Sequence, residues 1–199
     1  MNSKKPIGLI LCGGYSSRMG TDKGLIVTDG KTWVQRRTET LSPFVERSLI
    51  SVRKEQRPFY SAIDSSFEFV EDLYQNRGPI SGILSAHLSD TTADYLVLAC
   101  DMPVLETSIL SRLIEVYRQF PEKQAYAWKI DGKTEPFPAI YKAELLKDIF
   151  REWNIQESAY SPLRTLENGR THWIVDPDFT NSFINFNTPK EIGISESIV

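Results

Sequence analysis

Ile7 to Cys12 is a short, mostly apolar run of the kind used by a fully buried strand, and Gly13-Gly14 breaks it abruptly. A polar stretch follows that carries Ser16, Ser17, Arg18, Asp22 and Lys23. The whole segment from Leu9 to Lys23, LILCGGYSSRMGTDK, restricts what this chain can be more than any other. Paired glycines let a backbone approach a ligand closely, because no Cβ intervenes and φ > 0 is allowed. Successive backbone N–H groups in such a loop form an anion-binding concavity, and two cations close behind it suit a polyphosphate. Lys23 is followed by Gly24 rather than Ser or Thr, so this is not a Walker A loop. Nor does Gly13-Gly14-Tyr15 have the spacing of the dinucleotide fingerprint. The competing reading is a plain glycine turn with solvated charges.

The remainder alternates strand and helix signals. Thr32 is a plausible N-cap for a helix through about Leu41, and Leu49 to Val52 and Phe67 to Val70 read as strands. A loop with Glu71 and Asp72 runs into Gly78-Pro79-Ile80-Ser81-Gly82, where Pro79 suits an early helical position. Tyr95 to Cys100 is the clearest strand, ending at Asp101-Met102-Pro103, and a helix follows from about Glu106 to Gln119. Further on, Ala125 to Ile130 and Pro138 to Tyr141 flank a hairpin-like Asp131-Gly132-Lys133 turn. Ala143 to Trp153 and a segment from Pro162 to Gly169 read as helices, Trp173 to Val175 and Phe183 to Ile184 as strands. The stretch Asn185-Phe186-Asn187-Thr188-Pro189 then opens a last helix. Alternation of this kind through Gln119 implies a mostly parallel sheet with right-handed crossovers, hence a three-layer α/β/α sandwich. In such sheets ligands sit beyond the carboxyl ends of the strands, where Gly13-Gly14 and Asp101 both fall.

A chain of 199 residues suggests one domain spanning 1–199. Its net charge of -3 argues against a nucleic-acid surface. No apolar stretch approaches the ~20 residues that span a bilayer, and the run after Lys4-Lys5 is too short for a signal peptide. The expected location is the cytoplasm, with no membrane partner. Cys12 and Cys100 do not make a disulfide framework and read as buried, reduced thiols. His87 and His172 lack any second zinc-ligand pattern.

Asp101 ends an apolar strand just before Pro103, where a carboxylate can bind Mg²⁺ together with phosphate oxygens and waters. The alternative is an acid that favours a helix N-terminus. Arg18 and Lys23 could equally be surface cations, and Asp72 a turn-forming acid beside Glu71.

With those residues in view, LxGGxSxRMGxDK resembles the first motif of the molybdenum-cofactor guanylyltransferases. That family lies within the Rossmann-like nucleotidyltransferases of the nucleotide-diphospho-sugar transferase type. The resemblance extends to Pro189, with the motifs in family order, and implies a nucleotide-binding N-terminal half and an acceptor-side C-terminal half of the one domain. CDMP is similar to the Asp-x-Pro motif, implying that Asp101 ligates Mg²⁺. Arg18 and Lys23 match the positions that neutralise charge during phosphoryl transfer, so these two and Asp101 are the catalytic candidates. By the same resemblance Leu11, Cys12, Gly13, Gly14, Lys23 and Asp72 contact nucleotide. Gly78, Pro79 and Gly82 match GPLxG, whose backbone approaches the base. Asn185 and Asn187 match N-x-N-T-P, near the pterin and metal, and Glu135 to Ala139 resembles the segment before the substrate-side half. Two departures stand out. Cys12 replaces a usual alanine, and Ser51-Val52-Arg53-Lys54 lacks an asparagine often found after the second strand.

The implied activity is GMP transfer from GTP to the molybdenum–molybdopterin cofactor, with pyrophosphate released and Mg²⁺ as cofactor. Implied partners are GTP, molybdopterin, molybdenum insertion proteins and acceptor molybdoenzymes. The competing activities are cytidylyl transfer to the same cofactor, sugar-phosphate nucleotidyl transfer, and non-catalytic GTP or cofactor binding. Gly13 and the NFNTP stretch favour guanine, since cytidylyltransferase relatives tend to carry alanine at Gly13's position and an aspartate-rich version of NFNTP.

Overall fold

The computed structural model describes residues 4–14, 22–74, 77–102, 105–155, 161–177, 179 and 183. The chain enters through strand β1 (Ile7–Leu11), and a single 3₁₀ turn over Lys23–Leu25 follows the glycine loop. Strands β2 (Val27–Thr28) and β3 (Lys31–Thr32) make a small antiparallel ribbon, leading into helix α1 (Trp33–Leu41). Thr32 caps α1 as anticipated. Its hydroxyl accepts from Gln35 N at 3.3 Å, while Gln35 Oε1 accepts from Thr32 N at 2.9 Å, the reciprocal box that satisfies two otherwise orphaned donors.

Strand β4 (Ser48–Val52), helix α2 (Arg57–Ile63), strand β5 (Glu68–Glu71) and helix α3 (Pro79–Ser89) come next. Strand β6 (Tyr95–Ala99) and helix α4 (Thr107–Gln119) complete the first half. The second half holds β7 (Ala125–Ile130), β8 (Lys133–Tyr141), α5 (Ala143–Ile155), α6 (Pro162–Asn168) and β9 (Thr171–Ile174).

Seven strands form one sheet in the order β5-β4-β1-β6-β8-β7-β9. The pairs β1–β4, β1–β6, β4–β5 and β7–β9 are parallel, and β8 runs antiparallel to both its neighbours. Strand residues alternate between two cores. Ile10, Ile50, Leu96 and Leu98 pack with α1, α2 and α4 on one face, whereas Leu9, Leu49, Tyr95 and Val97 pack with α3, α5 and α6 on the other. Strands apolar on both faces are what a sheet covered by helices on both sides demands. The anticipated three-layer α/β/α architecture is therefore the observed one.

The chain winds outward from β1 through β4 to β5, then returns across β1 to β6. Connections leave β1 in opposite senses, so a crevice opens at the carboxyl ends of β1, β4 and β6.

Several boundaries differ from the sequence reading. Helix α2 was not anticipated, β8 begins at Lys133 rather than Pro138, and β9 spans Thr171–Ile174 with Val175 exposed beyond it. Cys100 lies just past the end of β6. Ile184 and the last helix from Asn185 lie outside the described residues, whereas Phe183 packs against Trp128 with ring centroids 5.5 Å apart.

Candidate active site

A cleft of about 390 Å³ lies in that crevice. Leu11, Cys12, Gly13 and Gly14 line it from the end of β1 and the loop after it. Asp101 enters from the turn after β6, Lys23 from the 3₁₀ turn and Asp72 from the segment after β5. Gly78, Pro79 and Gly82, at the start of α3, form another wall. Ten of the residues singled out from sequence are thus brought to one place. Arg18, Asn185 and Asn187, along with Pro103, lie outside the described residues.

Lys23 Nζ lies 2.8 Å from Asp101 Oδ2, with both side chains largely shielded. Local structure fixes each partner. Asp22 caps the 3₁₀ turn that presents Lys23: its Oδ1 accepts from Gly24 N at 3.2 Å and from the Tyr60 hydroxyl at 2.6 Å. Its other carboxylate oxygen accepts from Gln56 Nε2, which also donates to Cys12 O at 3.1 Å. Burial, then the nearby thiols and Asp22, pushes the Tyr60 phenol far above its ordinary pKa, so it remains a donor. On the other side, the buried Arg37 Nη1 donates to Met102 O at 2.9 Å and holds the turn that carries Asp101. Burial chiefly, and Arg36 secondarily, lowers the Arg37 pKa to about 10, which still leaves it charged at neutral pH.

Asp72 is pinned by Ser51, whose hydroxyl donates to Oδ1 at 2.5 Å. Burial raises its pKa, opposed by the Ser51 hydrogen bond and by the charge of Arg53. The space around it explains Gly13. A Cβ there would stand 2.1 Å from Asp72 Oδ2, far inside van der Waals contact. The sequence reading had allowed for a positive φ at the paired glycines, but neither Gly13 nor Gly14 takes one. Close approach, not left-handed backbone, is what Gly13 serves. Gly82 is under a similar constraint, since a Cβ there would come 2.2 Å from Ser51 Oγ and 2.9 Å from Leu11 Cδ2.

The lining also holds Glu55 after β4 and Tyr74 and Arg77 before α3, which no motif marks. Arg53 and Lys54, of the stretch that lacks the asparagine, and Phe137 of the Glu135–Ala139 segment line it too, and to these the motifs give no definite role. The available signal was position, since Arg53-Lys54 directly follows a strand next to β1. With Lys23, these residues give the cleft four basic side chains against the carboxyl groups of Glu55, Asp72 and Asp101, in a chain of net charge -3. The positive bias is local, as anion binding requires. Cys12 and Cys100 are free and buried. The hydrogen bond to Cys12, then burial, raises the Cys100 pKa well above the usual thiol value, which makes it a packing residue rather than a nucleophile.

Asp72 and Asp101 offer hard oxygen donors of the type that suits Mg²⁺. Among the described residues no group of three His, Cys, Asp or Glu side chains could hold a metal ion unaided. A cation here would draw its other ligands from phosphate oxygens and water, the usual arrangement for Mg²⁺. Among the described residues no helix is long and apolar enough to cross a membrane.

The sequence profile of the MobA-like NTP transferase domain matches residues 8–171. A probable molybdenum cofactor guanylyltransferase from Flavobacterium johnsoniae is 33% identical over 138 residues, covering 69% of this chain and 68% of that protein. The molybdenum cofactor guanylyltransferase of Shewanella baltica is 29% identical over 190 residues, covering 92% of this chain and 91% of its own. Among solved structures, molybdopterin-guanine dinucleotide biosynthesis protein A from Archaeoglobus fulgidus is similar at a TM-score of 0.75 and 25% identity, over 94% of this chain and 95% of that one.

Proposed function

The chain belongs to the MobA-like NTP transferase domain family, and we propose that it transfers GMP from GTP to the molybdenum–molybdopterin cofactor. The observation that carries this reading is the Lys23–Asp101 pair beside the Gly13-Gly14 loop, at the carboxyl ends of β1 and β6. The acceptor's terminal phosphate oxygen attacks the α-phosphorus of GTP. A new P–O bond forms, the Pα–O–Pβ bond breaks, and pyrophosphate leaves with the bonding electron pair. A phosphate oxygen is already a nucleophile, so no general base is needed. The protein's task is positioning and neutralising charge.

Lys23, and Arg18 by its place in the motif, are assigned to the triphosphate. Asp101 is assigned to Mg²⁺, which would supply charge neutralisation at the phosphates, and Asp72 to the nucleotide. Gly78, Pro79 and Gly82 are assigned to the base side, and Leu11, Cys12, Gly13 and Gly14 to the nucleotide backbone. Asn185 and Asn187 are assigned to the acceptor side, consistent with a nucleotide-binding N-terminal half of one 1–199 domain. Molybdenum insertion proteins and acceptor molybdoenzymes would be its functional neighbours in the cytoplasm.

The deciding experiment is pyrophosphate release with each nucleoside triphosphate and Mg²⁺, with and without molybdopterin. Release should require both GTP and molybdopterin. Equal or faster release with CTP would overturn the guanylyl assignment, since hydrogen-bonded base recognition separates substrates by orders of magnitude.

A further inference from the structure

Three consecutive carbonyls at the start of the glycine loop are held by one short segment. Gln56 Nε2 donates to Cys12 O at 3.1 Å, and Arg53 Nη1 donates to Gly13 O at 2.6 Å and Gly14 O at 2.9 Å. Gln56 Oε1 also accepts from the backbone N of Arg53 at 2.8 Å, which fixes the chain there, and Glu55 Oε1 accepts from Arg53 Nε at 2.7 Å, which orients the guanidinium. The peptides joining 12 to 13 and 13 to 14 are trans. In a trans peptide the N–H points opposite to the C=O. With the Cys12 and Gly13 carbonyls turned toward the 53–56 segment, the N–H groups of Gly13 and Gly14 must face away from it. Successive N–H groups on one side of a loop are what makes an anion-binding concavity. A cation on the carbonyls also polarises those peptides and strengthens their N–H groups as donors.

We propose that Arg53 is a positioning residue for the triphosphate, which acts by fixing the peptide planes of Gly13 and Gly14 rather than by reading the base. This rests on the nucleotidyl-transfer reading above. The bland alternative is an arginine that merely tethers a surface turn; it predicts a loss of stability with no preference among ligands.

The test is calorimetric binding of GTP, inorganic triphosphate and guanosine to the full chain and to its Arg53→Ala and Arg53→Lys variants, each with a thermal melt. Arg53→Ala should weaken GTP and inorganic triphosphate by about tenfold to a hundredfold, the scale of losing charged hydrogen bonds. Guanosine affinity should be unchanged. Millimolar guanidinium should restore part of the lost triphosphate affinity in Arg53→Ala. Arg53→Lys should fall between, because one ammonium cannot reproduce the planar fork. An equal loss for guanosine would make Arg53 a base-reading residue and overturn the proposal, as would unchanged triphosphate binding. A fall in Tm with no ligand preference, or no guanidinium rescue, would return it to the structural role. Failure of the unaltered chain to bind GTP at all would instead sink the nucleotidyl-transfer reading.

Discussion

Lys23 and Asp101 stand 78 residues apart in sequence, yet Lys23 Nζ donates to Asp101 Oδ2 at 2.8 Å across the mouth of the cleft. One partner comes from the turn after the glycine loop, the other from the turn after β6, so the pair ties together the two strand ends that define the crevice. Part-buried pairs of this kind are coupled, and a double-mutant cycle measures the coupling. Lys23→Ala, Asp101→Asn and the double variant should yield an interaction of ~0.5–2 kcal/mol in chemical denaturation. Additive values would mean that the two side chains merely adjoin.

For turnover, each of these substitutions should be severe. Asp101→Asn preserves shape while removing the charge that a hard dication requires. Pyrophosphate release should fall at least ~10²-fold, the scale of losing one transition-state charge contact. Near-normal release in Asp101→Asn would remove its role in catalysis.

Gly13 makes a sharper steric prediction. A methyl group at Gly13 would meet Asp72 Oδ2 at 2.1 Å, and the Ser51 hydrogen bond leaves that carboxylate little freedom to yield. Gly13→Ala should therefore displace Asp72 and cut kcat/KM for GTP by about tenfold or more, a loss of about 1.4 kcal/mol in transition-state binding. Wild-type kinetics in this variant would show that Asp72 can move without consequence.

Asp72 also gives a pH dependence. Burial raises its pKa, so the folded chain keeps this proton to a higher pH than the unfolded chain does. Between the two values folding takes up a proton, stability falls as pH rises, and the deficit persists at neutral pH. Asp72→Asn abolishes that titration. Its Tm should exceed the parent's at pH 7, and the difference should shrink toward zero as the pH falls below the ordinary carboxylate value of about 3.9. A difference independent of pH would assign the effect to packing instead.

What could be read from sequence and what could not follows from the range of the forces involved. The first strand, the Thr32 cap and the two-sided apolar strands are local patterns, and all were legible. Helix α2 is only seven residues long, with no side-chain cap bond and a single buried residue, Tyr60, so it carries almost no periodic signal. The sequence pattern marks β8 only from Pro138, because two prolines in three residues, Pro136 and Pro138, obscure the strand signal upstream. The register shift opposite Tyr126 and Trp128 accommodates them, since a proline cannot donate to a regular ladder. In the cleft, glycines and carboxylates at strand ends were recognisable from type and position. The grips of Arg53, Gln56 and Arg37 on backbone carbonyls were not, because side chain-to-backbone bonds between distant segments leave no spacing to detect.

Arg37 supplies the last prediction. Its guanidinium is buried between α1 and the turn after β6, donating to Met102 O at 2.9 Å and reaching Leu105 O at 3.5 Å. A buried charge with carbonyl partners is expensive to desolvate, which is why its pKa is lowered to about 10. Replacement by a similarly sized apolar side chain removes that cost but leaves Met102 O without this donor, at about 1–3 kcal/mol. The two effects oppose each other, so Arg37→Met should change stability by less than about 2 kcal/mol in either direction. Function should respond more. Arg37 touches no substrate in the proposed mechanism, yet it fixes the residue next to Asp101, and a misplacement of about 1 Å can cost on the order of 10²-fold in rate. Arg37→Met should lower kcat by about tenfold or more while the KM for GTP and the Tm stay close to the parent's. A parallel loss of Tm and activity would reduce Arg37 to a core residue, and an unchanged kcat would show that the turn holds Asp101 without it.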